Sequence, residues 1–190
     1  MKMKEYLDNN QLVKATDTNW MDEIFRTAVS TTHQLTNSNG SDKAKSLFSL
    51  GYTNNQGTQI YSFFKQYSVR ANTEYSLIKD RLKVGENLAI SYLQYKSQWE
   101  TFLAMIMPPM VPVYDVNGNW AGPAGLDDFD NPVRKMTMGK DNINNYVKII
   151  GNVFADLNIW NGISARTQFG INYGNSYSRT VDGAYVETGF

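Results

Sequence analysis

The chain has 190 residues, enough for one domain with a core of its own, and carries 18 Lys+Arg against 18 Asp+Glu, which gives no basic face for nucleic acid and no acidic tail. It lacks cysteine, which excludes disulfide scaffolds, thiolate metal sites and Cys nucleophiles, and its single histidine, His33, excludes the His clusters of metal sites and most acid–base relays. Aromatic residues make up 13% of it, 12 of them Tyr and 4 Trp, side chains suited to surfaces that are apolar at one end and wet at the other.

The first segment, Met1 to Asn10 (MKMKEYLDNN), is charged with no apolar stretch behind it and does not read as a signal peptide. Asn19 is placed to cap a short helix, with Asp22 and Glu23 in its first turn and Met21, Ile24 and Phe25 on one side. Residues 1–30 are expected to be a loop segment carrying this helix, outside the sheet that follows.

From there the pattern turns to period 2. Weak alternation over Thr31 to Ser38 and Lys45 to Thr53 precedes a clear case at Tyr67 to Leu77. There Tyr67, Val69, Ala71, Thr73, Tyr75 and Leu77 oppose Ser68, Arg70, Asn72, Glu74 and Ser76. Leu82 to Tyr95 alternates next, and Glu86 falls in phase with the apolar Leu82, Val84, Leu88, Ile90 and Tyr92. Either an interfacial position or a β-bulge would accommodate it. Two strong strands follow at Asn145 to Ile159 and Ile163 to Tyr173, where Ile163, Ala165, Thr167, Phe169, Ile171 and Tyr173 oppose Ser164, Arg166, Gln168, Gly170 and Asn172.

These runs reach about 11–15 residues, against about 5–6 for an ordinary soluble strand. Tyr67 and Tyr75 lie about 26 Å apart along a strand, or about 20 Å along a membrane normal at a tilt of about 40°, close to the ~25 Å apolar band of a membrane barrel. The connections alternate as well. Gly40–Lys43, Ile78–Arg81 and Trp160–Gly162 are tight turns, whereas Asn54–Lys65 and Lys96–Asn142 are long. Short turns on one side and long loops on the other belong to transmembrane barrels, with the long loops extracellular. The expected fold is therefore all-β: an antiparallel meander of about six long strands over 31–175, with a long loop at 96–142 and a further extracellular loop starting at 176–190. The most apolar stretch, Phe102 to Tyr114, is broken by Pro108, Pro109 and Pro112 and is too short for a membrane helix. The rival reading is a soluble all-β binding or adhesion module with no transport role, since a half-buried soluble sheet alternates too.

No catalytic, cofactor-binding or metal-ligating residue is nominated, no enzyme activity is expected and no cofactor is implied: the chain has no nucleophile elbow, zinc motif or phosphate loop. His33 reads as a polar strand residue. Asp115 to Asn119 (DVNGN), followed by Asp127, Asp128 and Asp130, invites a calcium reading. The EF-hand pattern fails at Trp120, where Gly is needed, and at Leu126, where Glu is needed, which leaves an Asn-Gly turn as the plainer account. Phe190 ends the sequence on an aromatic, as many outer-membrane barrels do, but Ala184, Val186 and Thr188 make a poor last strand.

Taken in order, TNWMDEIFRTA (Thr18–Ala28), THQLTNSNGSDK (Thr32–Lys43), SLGYTNNQGT (Ser49–Thr58), YSVRANTEY (Tyr67–Tyr75), LKVGENLAISY (Leu82–Tyr92) and PPMVPVYDVNGNW (Pro108–Trp120) resemble the SusC/RagA family of TonB-linked outer-membrane transporters. One departure is Asn39-Gly40, where family members usually carry a double glycine before the first tight turn. The resemblance implies energised import of a nutrient, an oligosaccharide or short peptide, across a Gram-negative, Bacteroidetes-like outer membrane. It also implies a SusD-like surface lipoprotein over the barrel mouth, TonB acting on a plug from below, and lipid around the wall. It further implies that this chain is an internal barrel fragment: the family's plug and most of its roughly 22 strands are expected to lie outside it. On that reading Arg70, Asn72, Glu74, Lys148, Asn152, Asp156, Arg166 and Gln168 face the lumen, where they pack on the plug or line the substrate path. None is assigned as a substrate ligand, and the substrate-binding residues are left unknown.

Overall fold

A computed structural model describes residues 16–79, 81–122, 130–181, 183–185 and 187–189. The chain passes through α1 (Trp20–Ile24), β1 (Ser30–Gly40), β2 (Ala44–Gln56), β3 (Phe63–Leu77), β4 (Leu82–Lys96), α2 (Thr101–Ile106), β5 (Trp120–Gly122), α3 (Pro132–Met138), β6 (Ile143–Trp160), β7 (Ile163–Arg179) and β8 (Glu187–Gly189). β1, β2, β3, β4, β6 and β7 form one antiparallel sheet in that order, and β5 and β8 pair in parallel as a separate patch. The sheet is open, with β1 and β7 as its edges.

The alternation seen in the sequence is what these strands use. Register is unbroken between β1 and β2, β2 and β3, β3 and β4, and β4 and β6, so same-parity residues line up in rows across the sheet. One row on the apolar face runs Leu35, Leu50, Val69, Ile90, Ile149, Tyr173. The row toward the long loops runs His33, Tyr52, Tyr67, Tyr92, and its rings follow one another at 6.4, 5.1 and 6.3 Å between centroids. Tyr75 marks the same face toward the tight turns. A one-residue slip would exchange the two faces, so the pattern itself fixes the pairing.

All six strands outrun the expected spans, β7 most of all. β6 has 18 residues and β7 has 17, ending at Arg179, six residues beyond Tyr173. The tight turns fall where expected. Gly162 takes φ 84, and Ile78 and Lys79 both take φ 51, a left-handed pair in which the Arg81 N–H donates to the Ile78 carbonyl at 3.1 Å. The single register irregularity in the sheet lies at Asn158/Trp160 in the β6–β7 pair. No bulge re-aims Glu86. It stays on the apolar face, exposed, between Thr73 and Val153 and in a row with Ser46, one row before Tyr75. Glu86 therefore belongs to a hydroxyl-bearing fringe toward the turn end, where a carboxylate meets water more readily than at the middle of the band.

The sheet buries almost nothing of its own: β1 and β7 are exposed along their whole length. The apolar core lies off one end, in the segments that join the strands. Trp20, Ile24, Ala104, Met107, Val111, Val113, Val133 and Met136 form one cluster, drawn from α1 and from the chain between β4 and β6. No described helix is long and apolar enough to cross a membrane, which leaves spanning by strands untouched.

Candidate functional site: the polar sheet face and the loop cap

The face opposite the tyrosine row is mostly polar from β1 to β7, with Leu47, Ile150 and Phe154 among its apolar residues. Ser38, Leu47, Asn72, Asn87, Asn152 and Gly170 share one row, and Asn87 donates from its amide to Asn152 at 3.0 Å. The next row toward the turns is Lys45, Glu74, Gly85, Phe154, Gln168. Gly85 is there for space: a Cβ on it would lie 2.5 Å from the Phe154 ring and 2.6 Å from the Thr73 carbonyl oxygen. The Phe154 ring thus covers a bare stretch of strand, a device that shields glycine in sheets. Arg166 lies 5.0 Å from the centre of that ring, and its guanidinium meets Asp156 at 3.5 Å.

All eight nominated residues, Arg70, Asn72, Glu74, Lys148, Asn152, Asp156, Arg166 and Gln168, fall on this one face. The register adds Asn87, Lys45 and Lys83, whose neighbours across the strands were hidden until pairing was known. Lys45, Arg70, Lys83, Lys148 and Arg166 outnumber Glu74 and Asp156, so the face carries an excess of positive charge. It is suited to solvated or anionic groups. Nothing in it resembles a nucleophile with a base beside it.

At the loop end, the long connections are folded together. The Trp20 indole N–H donates to the Pro108 carbonyl at 3.0 Å, and the Thr18 N–H donates to the Pro109 carbonyl at 2.7 Å. Asn19 does not cap α1 with its side chain; its amide donates to the Asp22 carboxylate at 2.6 Å instead. The 57–62 connection is held by Arg26, which donates to the Gly57 and Ser62 carbonyls, both at 3.2 Å.

Asn131, fully buried, ties the second half of the cap. Its amide donates to the Val113 carbonyl at 2.9 Å and the Ala121 carbonyl at 2.7 Å, while its oxygen accepts the Arg134 N–H at 3.0 Å and so caps α3. Between Val113 and Ala121 the chain makes the expected Asn-Gly turn, with Gly118 at φ 83. One oxygen of Asp115 accepts the N–H groups of Asn117 and Asn119, both at 2.8 Å, and the other accepts the Asn119 amide at 3.2 Å. That carboxylate is committed to closing a turn. Asp130 pairs with Arg134, which also stacks 3.8 Å over the Tyr185 ring, whereas Asp127, Asp128 and Phe190 lie outside the described residues. Among the described residues no group of three or more His, Cys, Asp or Glu side chains could hold a metal ion.

The cap is bolted to the sheet by Lys96, the last residue of β4. Its ammonium donates to the Gly139 carbonyl and to the Asn142 carbonyl at 3.3 Å, and the residue is only 8% exposed. Tyr114, tilted against Trp120 with ring centres 4.7 Å apart within the cap, has its pKa raised, first by burial and then by Tyr61 and Glu23.

A sheet with one apolar and one polar face, rings set near both ends of the apolar face, tight turns at one end and folded loops at the other is the wall of a transmembrane β-barrel. Comparison with known proteins narrows this further. Over 133 residues the chain is 31% identical to the TonB-dependent receptor SusC of Bacteroides thetaiotaomicron, covering 64% of this chain and 13% of that receptor. It is 25% identical over 185 residues to TonB-dependent receptor P3 of Formosa agariphila, covering 91% of this chain and 18% of the receptor. Among solved structures, the RagAB peptide importer in its open-open state matches 94% of this chain and 21% of its own, with a TM-score of 0.72 and 23% identity. The RagAB peptide transporter matches 88% of this chain and 20% of its own, with a TM-score of 0.71 and 25% identity. No protein-family profile matches the chain. The chain is similar to a segment of barrel wall of SusC- and RagA-type receptors, and it spans 13% and 18% of the lengths of the curated relatives it matches.

Proposed function

We propose that this chain supplies wall and outer loops to a TonB-dependent importer in a Gram-negative outer membrane. The observation that carries the proposal is the pairing of faces and ends. One continuous six-stranded meander carries a tyrosine-fringed apolar face and an opposite charged face, and the segment before β1 and the β4–β6 connection share one core at one end of it. Lipid takes the outward face, and the polar face takes the plug and the substrate path. The cap lies on the cell exterior, where the segment before β1 and the connection between β4 and β6 shape the barrel mouth. A short peptide or an oligosaccharide is the substrate class, with a SusD-like lipoprotein over the mouth. The excess of Lys and Arg on the inner face favours cargo bearing carboxylates, which peptides always carry at one end. TonB drives the cycle through the plug, and the chain does no bond-breaking chemistry.

The test is uptake in the source cell. Removing the gene should abolish accumulation of labelled short peptides or oligosaccharides, and an uncoupler should do the same in the intact strain. A surface lipoprotein should copurify with the detergent-extracted protein. Unchanged uptake of both substrate classes, or recovery of the protein as a soluble monomer with cooperative melting, would sink the proposal.

A further inference from the structure

On the outward face, just beyond the tyrosine row, three strands converge polar groups on one point. Asn145 of β6 accepts through its amide oxygen from the Tyr92 hydroxyl at 2.8 Å and from the Gln94 amide at 3.0 Å. The same Gln94 amide donates to the Tyr92 oxygen at 3.0 Å, and the Tyr92 and Tyr177 hydroxyls are 3.4 Å apart. Asn145 is 9% exposed, yet its amide N–H groups have no partner in the described structure, and neither has the Gln94 amide oxygen. An interfacial tyrosine row needs no such cluster: Tyr52 and Tyr67 stand in theirs with ring contacts alone. The shared acceptor holds the two amides rigid and leaves one donor group and one acceptor on offer.

Directly below, on the same face, lie Ile90, Ile149 and Ile171, with Gly151 between Leu88 and Ile171 keeping the wall low. An apolar slot capped by a neutral donor–acceptor pair beside tyrosine rings matches a particular amphiphile. Acyl chains fit the slot. Vicinal hydroxyls of a sugar fit the amides, and tyrosine rings pack on the apolar faces of sugar rings. The cluster itself holds no cation; Arg179, which a phosphate would seek, stands two residues further along β7. We infer that the outward cluster of Tyr92, Gln94, Asn145 and Tyr177 is a binding site for the sugar headgroup of an outer-leaflet glycolipid. This rests on the outward face being the lipid-facing one, as proposed above.

The protein, purified from the cell envelope in mild detergent and moved into phosphatidylglycerol nanodiscs doped with monoglucosyl diacylglycerol, provides the test by native mass spectrometry of retained lipid. The wild type should retain the glucolipid in preference to phosphatidylglycerol. Replacing both amides (Gln94→Leu with Asn145→Leu) should cut that retention about ten-fold, Tyr177→Phe about three-fold, and Arg179→Gln should leave it unchanged. Tyr177→Phe removes only one oxygen, so it reports even where the double variant fails to assemble. Equal retention of the two lipids by the wild type overturns the inference, as does retention that falls with Arg179→Gln and not with Tyr177→Phe. The latter pattern would mark a phosphate site. Failure of the wild-type protein to enter the discs at all counts instead against the membrane-barrel reading on which the site rests.

Discussion

Trp20 and Pro108 are 88 residues apart in the chain, and the indole N–H of one donates to the carbonyl of the other at 3.0 Å. This contact joins the segment before the first strand to the loop after the fourth. It sits over the apolar cluster that includes Ile24, Met107 and Met136, so its loss should be felt across the cap and hardly at all in the sheet. Trp20→Phe should cost about 1 kcal/mol and Trp20→Ala about 3–5 kcal/mol of cap stability. Limited proteolysis of the 97–142 connection checks this, since cleavage should quicken in that order while the strands stay protected. Equal cleavage of Trp20→Ala and wild type would refute it.

Asn131→Ala should act more locally. The Val113 and Ala121 carbonyls would lose their buried donor and α3 its cap. The expected cost is about 2–3 kcal/mol. Hydrogen exchange should rise over 113–121 and the first turn of α3, with the β3–β4 ladder unchanged.

Side chains on the outward face should tolerate charge according to depth. Ile149→Arg, in the row between Ile90 and Tyr173, should destabilise the protein in bilayers by about 2–4 kcal/mol. Glu86→Leu should be neutral or mildly stabilising, because the native carboxylate already sits in the turn-end fringe. Urea titration in phosphatidylcholine vesicles measures both. A larger penalty for Glu86→Leu than for Ile149→Arg would reverse the assignment of faces.

On the inward face Gly85 should resist any side chain. With Phe154 and the Thr73 carbonyl both under 3 Å from the position of a Cβ, Gly85→Val must displace backbone as well as a ring. The fraction that migrates as folded, heat-modifiable protein in gels should fall sharply. Combining Gly85→Val with Phe154→Ala should recover only part of it, because the carbonyl contact persists.

Ile78 holds a β-branched side chain at φ 51. A left-handed conformation costs such a residue about 1–2 kcal/mol, and Asn adopts it far more readily. Ile78→Asn should therefore raise the urea midpoint of the β3–β4 hairpin region by the equivalent of about 1 kcal/mol. A lowered midpoint would show that the exposed Ile78 side chain is needed at the membrane edge.

Much of the sheet could be read from the residues because a strand's two faces repeat every second position, and here each face meets a different medium. Tyr67 to Leu77 and Ile163 to Tyr173 announced themselves in that way, and the eight inward residues followed from parity alone. The cap could not be read so. Trp20, Met107, Val111 and Val133 come from three separate stretches, and α2 and α3 have 6 and 7 residues, too short for helical periodicity to show. The proline-broken stretch from Phe102 to Tyr114 looked like a loop because it is one; its apolar residues serve the cap core. Asn145, Gln94 and Tyr177 were equally hidden, since each is an ordinary polar strand residue until register brings them together.

The placement of the cap core also constrains assembly. Trp20 and Ile24 pack with Ala104, Met107, Val111, Val113, Val133 and Met136 at one end of the sheet, although β1 to β4 lie between the two sets in the chain. If the wall spans a membrane as proposed above, a folded cap is far wider than a strand, so these segments would cross as open chain and condense only on arrival. Once Trp20 closes on Pro108, withdrawing any of the first four strands would require that core to be dismantled first. On that proposal the cluster is a latch that closes once the connection after β4 has crossed, before β6 and β7 complete this part of the wall.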